Sequence, residues 1–248
     1  MKELLQESWT LAKRDYKRHF SILNMIGLII ISLALLIGIS IGLDKFIRLP
    51  EGVSYFEFFP TGFIAYMVAI MSFNVGLSVV EDKNRFMKLV FVAPVSRLSI
   101  FFGKIIHTLL NAAFVYTFIG LGVLAYIGEL SVPRIFFMIV MILLIVHLFM
   151  GLGLFLAVFI EKMATFQAIN GGLLMFFLFF SGIVYPISAL PSWLRIITYV
   201  NPLTYAADAT AFALTGTSTI PFSIFVVLFL AIVLPILAIY FFERKMRS

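Results

Sequence analysis

The chain has 248 residues, of which 62% are hydrophobic and only 12% are charged, and its mean hydropathy is +1.12. That is more apolar side chain than one soluble domain of this length can bury, so the composition excludes an ordinary water-soluble protein and indicates a membrane protein. The absence of cysteine excludes disulfides and cysteine-ligated metals.

The first 21 residues are predicted to form an amphipathic helix lying in the headgroup region of the membrane. Apolar and aromatic residues recur there at spacings of three and four, which places them on one side of a helix: Leu5, Trp9, Ala12, Tyr16 and Phe20. Trp9 and Tyr16 would be the interfacial anchors. The alternative interpretation is a solvated basic leader.

Six apolar runs follow, each about as long as the roughly 20 residues that a transmembrane helix needs. They cover residues 22–43, 59–80, 105–127, 135–160, 165–185 and 222–242. The first run is too long for the core of a signal peptide, so we expect it to be retained. No intervening segment reaches the ~50 residues of a folded domain. The predicted fold is therefore an all-α membrane protein with six transmembrane helices in a single domain, residues 1–248.

Lysine and arginine are distributed unevenly between the two ends of these runs. Fourteen lie in the leader, the second and fourth connections and the tail, and four lie in the other connections. Positive residues stay on the cytoplasmic side, which predicts that both termini and residues 81–104 are cytoplasmic. The net charge of +6 is thus a topology signal, and we expect no nucleic-acid partner.

The second connection opens with EDKNRFMK, residues 81–88, a cluster of both charge signs between two apolar runs. If it is helical, Phe86 points to the membrane while the charged side chains face the cytosol: Asp82, Lys83, Arg85 and Lys88. Mixed signs suit a protein partner better than anionic lipid, which favours purely basic clusters. The alternative is a stop-transfer cluster with only a topological role.

The last two connections differ in length. Residues 161–164 are so few that the fourth and fifth spans are predicted to form a tight antiparallel hairpin. Residues 186–221 hold two moderately apolar stretches that are too short to span. Pro191 and Pro202 lie where helices can begin, because a first-turn N–H has no partner inside its helix. We therefore predict a pair of short re-entrant helices in the outer leaflet before the last span.

No set of residues for enzymatic or metal chemistry stands out. Gly103-Lys104 lacks the upstream glycine and the following Ser or Thr of a phosphate-binding loop. His107 and His147 would lie about 3 Å and roughly 20 Å from the inner ends of their spans, too far apart in depth to share a metal. We predict no catalytic residue and no metal site.

Four residues within the predicted spans are candidates to line a path through the membrane: Asn74, Asn111, Asn170 and Phe177. Close packing of helices is the alternative reason for asparagine in a span, and it is the more frequent one. No acidic residue lies near the middle of a span, which counts against a proton-coupled carrier.

Two segments of the chain resemble those of one transporter family. They are Ala93-Pro94-Val95-Ser96-Arg97, with Gly103-Lys104 opening the third span, and Asn201-Pro202-Leu203-Thr204-Tyr205-Ala206-Ala207-Asp208. Together with the length, the six spans, the leader helix and the outer pair, they resemble the ABC-2 type exporter permeases, with daunorubicin-resistance and nodulation-export subunits as the nearest kind. The chain departs from the family in Asp208-Ala209-Thr210-Ala211, where members often have Arg or Glu after the first alanine.

The resemblance implies the permease half of an ATP-driven exporter in a prokaryotic cell membrane. It implies a dimer, with itself or with a sister permease, bound to two copies of a separate ATPase subunit that would hold ATP and Mg²⁺. This chain would bind no cofactor itself, would contact membrane lipids, and would not be an enzyme.

The resemblance also assigns roles to segments of the chain. The segment from Glu81 to about residue 90 would be a coupling helix that docks on the ATPase. The turn from Pro94 to Arg97 would set the angle at which the third span begins, and Asn201-Pro202 with Tyr205 and Asp208 would belong to outer helices that help close the exit.

The predominance of aliphatic residues and Phe in the spans favours an amphiphilic or hydrophobic cargo, such as a drug or lipid. The alternatives are export of a polysaccharide or lipid-linked glycan, or a stand-alone membrane channel or enzyme.

Overall fold

The structure is a computed structural model that describes residues 22–47, 49, 54–86 and 97–247. Every regular element in these ranges is helical and none is a strand, which confirms the predicted all-α class. The predicted leader helix, residues 1–21, lies outside the described residues. So do Lys88 and Pro94, which the sequence had placed in the second connection.

Nine α-helices and one 3₁₀ turn follow one another in the described part of the chain. The helices are α1 (Ile22–Asp44), α2 (Tyr55–Phe73), α3 (Val75–Phe86), α4 (Arg97–Tyr126), α5 (Val132–Phe159), α6 (Met163–Phe179), α7 (Ser192–Val200), α8 (Pro202–Thr215) and α9 (Ser223–Arg247), and the 3₁₀ turn is Ile187–Ala189. Five stretches are long and apolar enough to cross a bilayer: α1, α2 together with the start of α3, α4, α5 and α9. The chain is therefore a multi-pass membrane protein.

α5 is the central helix of the bundle. It packs against α2, α3, α4, α8 and α9, and many of its large apolar side chains are fully buried among them, whereas Phe136, Phe137 and Phe159 are exposed. α1 packs only along α2 and α4 within the described ranges, and most of its outer face is exposed, as is much of α9. In a bilayer such apolar faces contact lipid chains, so their exposure is compatible with a stable fold.

The second predicted span is bent. The sequence predicted one helix over residues 59–80, but α2 ends at Phe73 and α3 begins at Val75. The break lies at Asn74, whose side-chain Nδ2 donates to Ile70 O at 2.9 Å and so competes with the regular backbone pattern.

The fifth predicted span is shorter than expected. The sequence predicted a helix over residues 165–185, but α6 ends at Phe179 and the chain then turns, with Gly182 at φ +81°. A φ in this region favours glycine, which has no Cβ to clash with its own carbonyl. The prediction was wrong at this end because local turn chemistry outweighs the apolar composition of residues 180–185.

The predicted hairpin of the fourth and fifth spans is also wrong in its packing. The connection is short, but α6 packs mainly on α2, α3 and α8 rather than along α5. Its buried stripe determines this direction, because Phe166, Asn170, Leu174 and Phe177 lie on one face of the helix.

Candidate functional site

An asparagine pair joins the bend of the second span to α6. Asn170 Nδ2 donates to Asn74 Oδ1 at 2.7 Å, and Asn170 is 8% exposed. The amide of Asn74 is thus used twice, once toward its own helix and once toward α6. A hydrogen bond between two helices inside a membrane has little water to compete with it, so the pair fixes the position of α6 against the bend.

Beside this pair, α3 and α5 touch through their backbones. A Cβ added to Gly76 would lie 2.3 Å from Gly153 O, and one added to Gly153 would lie 2.3 Å from Phe73 O. Only glycine allows such an approach. The bend at Asn74 therefore rests directly on the last third of the central helix, with no side chain between them.

The candidate path-lining residues lie at different depths of burial. Asn74 and Asn170 bond to each other, and Phe177 is buried with its ring 5.9 Å from that of Phe149. Asn170 and Phe177 are buried and Asn74 is half-buried, so these three contribute to packing within the chain. Asn111 is half-buried, and its Oδ1 has no hydrogen-bond partner in the described part. Asn170 Oδ1 likewise lacks a partner there, so Asn111 and Asn170 each keep an unused acceptor.

The described part of the predicted coupling segment is helical. Glu81, Asp82, Lys83, Arg85 and Phe86 all lie on α3, which continues from the bend beyond the apolar part of the span. Glu81 is half-buried. The sequence therefore predicted the element correctly as far as Phe86, where the described residues stop.

Lys83 does not point outward as the sequence suggested. Its Nζ donates to Ala157 O and, at 3.2 Å, to Val158 O, the free carbonyls of the last turn of α5. Burial lowers the pKa of Lys83 to about 8, with Lys245 lowering it further and Glu161 acting in the opposite direction. The negative end of the α5 dipole explains why the ammonium turns inward.

The last helix meets the same turn. Lys245 Nζ donates to Val158 O at 3.1 Å and lies 3.4 Å from Glu161 Oε1. Sequence reasoning missed this cluster. The sequence features that could have indicated this cluster are a lysine in the last turns of α9 and a lysine in the predicted coupling segment, both on the predicted cytoplasmic side.

Gly103-Lys104 connects α4 to α3. Lys104 is 9% exposed, and its Nζ donates to Ser78 Oγ at 3.0 Å. Arg97 is the first residue of α4. The family-like segment around the start of the third span thus positions α4 against the helix that carries the charged cluster.

The second family-like segment forms a joint between α6 and α8. Asn201 Nδ2 donates to Phe177 O at 2.9 Å and to Phe180 O at 2.7 Å, while Asn201 Oδ1 accepts from Leu203 N at 2.9 Å. One buried side chain therefore caps the end of one helix and the start of the next. Pro202 occupies the first turn of α8, where a missing N–H costs nothing.

Tyr205 extends this joint to α7. Its hydroxyl donates to Tyr199 O at 2.7 Å, near the end of that helix. The predicted pair of short helices is therefore present as α7 and α8, linked by Asn201 and Tyr205.

Asp208 fastens the connection that leads to α9. Its carboxylate accepts from Ser218 Oγ at 2.6 Å, from Thr219 N at 2.7 Å, from Thr219 Oγ1 at 2.8 Å and from Ile220 N at 3.2 Å. With all these donors supplied by one turn, Asp208 has a structural role in the connection between α8 and α9.

We expect Asp208→Asn to loosen this turn, because the neutral amide lacks the negative charge that strengthens the hydrogen bonds to the carboxylate. The loss is expected to be about 1.5 kcal/mol. Hydrogen exchange of the Thr219 and Ile220 amides should become about tenfold faster, as mass spectrometry of exchanged peptides would measure. Thr217→Ala, at an exposed neighbour, is the control. Unchanged exchange in Asp208→Asn would contradict the assigned role.

Arg134, near the start of α5, ties this helix to α8. Its Nη1 donates to Phe212 O at 3.4 Å and its Nη2 to Thr215 O at 3.1 Å, and its Nε lies 3.4 Å from Glu129 Oε2. These carbonyls belong to the last turn of α8, which ends at Gly216 with φ +79°. The feature of the sequence that could have indicated this contact is an arginine directly after Pro133, at the start of an apolar helix.

The described residues hold no group of three or more His, Asp or Glu side chains arranged to bind a metal ion. His147 Nδ1 lies 2.9 Å from Leu143 O, one turn earlier in its own helix. Apart from Asp208, the described side chains that join helices lie mostly at or near helix ends, where Lys83, Arg134 and Asn201 donate to backbone carbonyls. The site is thus a set of joints between helices.

Comparison with known proteins identifies the family. The family model described as ABC-2 type transporter matches residues 6–215. The chain is also 30% identical over 166 residues to ycf38 of Cyanophora paradoxa, which is named as a transport permease. That alignment covers 64% of this chain and 56% of the relative, so the chain spans little more than half the length of the relative it matches.

The matched residues include both family-like segments and the whole run of helices from α1 to α8. Members of this family generally dimerise and work with an ATP-binding subunit. The chain belongs to the ABC-2 type transporter family, and its described part contains several membrane-spanning helices.

Proposed function

We propose that this chain is the membrane half of an ATP-driven exporter, paired with a second permease and driven by a separate ATPase subunit that holds ATP and Mg²⁺. The proposal rests on the course of α3. It begins at a bend on the central helix, leaves the apolar part of the span and continues into the charged segment Glu81–Phe86. A partner that pushes on this segment would act directly on the bundle.

We further propose that α6 is a sixth span. Its 17 residues correspond to about 26 Å, somewhat less than the ~30 Å of the hydrocarbon core, and a local thinning of the bilayer accommodates such a mismatch. Six spans place both termini on one side, and the excess of Lys and Arg in the connections on that side favours the cytoplasm of a prokaryotic cell. α7 and α8 would then form the re-entrant pair in the outer leaflet.

The proposed cargo is amphiphilic or hydrophobic. The described spans are lined mostly by aliphatic side chains and Phe, whereas a wide glycan channel would need many polar groups beside aromatic rings. Asn111 is the proposed polar contact on the path. Asn74, Asn170 and Phe177 would reach a path only if α6 moved away from α2 and α3.

The test is capture of the ATPase in mild detergent from the native membrane. A tagged chain is compared with the triple variant Asp82→Ala, Arg85→Ala, Lys88→Ala. We expect the unaltered chain to retain a soluble ATPase and the triple variant to bind it about 30-fold more weakly, since loss of central interface side chains costs ~2 kcal/mol or more.

The matched control removes two exposed charges elsewhere on the same predicted face, Lys162→Ala with Arg244→Ala. Equal amounts of all three chains in the membrane fraction would show that insertion is unchanged. Equal capture by the triple variant would refute the coupling role of the segment. No ATPase with the unaltered chain would favour a stand-alone channel or enzyme.

A further inference from the structure

Cationic side chains hold both ends of the central helix. At the inner end, Lys83 of α3 and Lys245 of α9 donate to the carbonyls of Ala157 and Val158. At the other end, Arg134 of α5 donates to Phe212 O and Thr215 O of α8. α5 has 28 residues, about 42 Å, so these two joints lie on opposite sides of the membrane.

Between the joints, α5 has little freedom to bend or slide. Gly153 lies against the backbone of Phe73, and Gly151 lies against the ring of Pro235 in α9. A packed interface of this kind transmits a displacement because it has no compressible gap. A movement of α3 would therefore be passed to α5 as a whole.

The charge of Lys83 is kept at a cost to folding. Its pKa of about 8 lies below the ordinary value of 10.5, so between these pH values the folded state binds fewer protons than the unfolded state. Stability linked to Lys83 therefore rises with pH across this window. That cost offsets part of the stability that the hydrogen bonds from Lys83 to Ala157 O and Val158 O contribute.

We propose that α5 acts as a rod that couples the cytoplasmic segment to the outer helix pair, with Lys83 and Arg134 as positioning residues at its two ends. This inference rests on the proposed function. When the ATPase displaces α3, Lys83 carries α5 with it, and Arg134 passes the displacement to α8. Lys245 keeps α9 in the same moving body.

The test uses the assembled complex of permease and captured ATPase in lipid vesicles. Because the chain contains no cysteine, Ile196→Cys on α7 gives a single site for an environment-sensitive fluorophore on the outer segment, where Ile196 is 68% exposed. The readout is the fluorescence change on adding ATP and Mg²⁺. Lys83→Met and Arg134→Met should each reduce its amplitude at least fivefold while the ATPase is still captured.

The matched control is Lys162→Met, which removes an exposed lysine in the connection that follows α5. Its amplitude should equal that of the unaltered chain. Lys83→Arg should restore the response, because arginine also donates to carbonyls and keeps its charge. Full responses in both Lys83→Met and Arg134→Met would overturn the proposal.

A pH series separates this role from a merely structural one. Among the described side chains, the charged groups that act on Lys83 are Lys245 on α9 and Glu161 in the connection after α5, and Lys104 of α4 donates to Ser78 Oγ, earlier on α3. From pH 7 to pH 9 the charged fraction of Lys83 falls about tenfold, given its pKa of about 8. The response of the unaltered chain should fall relative to Lys83→Arg, although Lys83-linked stability rises.

The results distinguish a failure of the proposed function from a failure of the proposed role of α5. If the unaltered chain captures no ATPase, the proposed function fails. If the ATPase is captured but the fluorescence response changes neither with pH nor in Lys83→Met and Arg134→Met, the proposed role of α5 is refuted while the proposed function stands. If Lys83→Met does not assemble with the ATPase, the responses of Arg134→Met and the pH series test the role of α5 by the same criteria.

Discussion

Gly153→Ala is expected to destabilise the protein by about 2 kcal/mol. The new Cβ would lie 2.3 Å from Phe73 O, and a backbone atom cannot move aside as a flexible side chain can. Overpacking of this kind costs about 3 kcal/mol at the upper end of its usual range, while alanine gains about 1 kcal/mol over glycine in a helix. Thermal unfolding in detergent should show a Tm lower by about 4–8 °C.

The matched control for Gly153 is a glycine in open space. A Cβ at Gly122 of α4 or at Gly171 of α6 would meet nothing within 4 Å. Alanine at either position should leave the Tm unchanged or raise it slightly, because only the helix propensity changes. A Tm for Gly153→Ala equal to that of Gly122→Ala would show that α5 does not rest on the backbone of Phe73.

Asn201→Ala should destabilise the joint between α6 and α8 by about 3 kcal/mol. The change removes the cap of Leu203 N, at about 1 kcal/mol, and leaves the carbonyls of Phe177 and Phe180 without the Asn201 donor, at about 1 kcal/mol each. The expected fall in Tm is about 6–12 °C. Proteolysis should also become faster between α6 and α8.

Asn201→Asp distinguishes this joint from an ordinary helix cap. Aspartate is as good a cap as asparagine at an exposed helix start, but here it would place a carboxylate oxygen against two carbonyl oxygens. We expect it to be at least as harmful as alanine. Ser131→Ala is the control, since Ser131 precedes α5 and makes no side-chain cap bond. A stable Asn201→Asp variant would refute the double role of Asn201.

Predictions from the sequence were correct where a single local feature is enough to determine the structure. Apolar length decided where the helices lie, because a chain in lipid must satisfy its backbone hydrogen bonds within each helix. Pro202 marked the start of α8 correctly. The charged cluster was predicted to be helical, and its described part is α3.

The predictions that failed concern contacts between elements. Lys83 was expected to face the cytosol, because helix periodicity alone cannot show that the free end of α5 lies beside it. The interruption of the second span at Asn74 was not predicted, because it is evident only from the contacts of Asn74 with Ile70 and Asn170. The length of α6 was overestimated because the turn at Gly182 is marked by one residue in an apolar run.

The sequence by itself determined that this is an all-helical membrane protein with a charged segment between its second and third spans. These features follow from composition and periodicity, which act locally and need no knowledge of neighbours. Only the tertiary structure decided which polar groups meet: Lys83 with α5, Arg134 with α8, and Asn201 with α6. In a low-dielectric interior each such group must find a partner, and which partner it finds depends on how the helices pack.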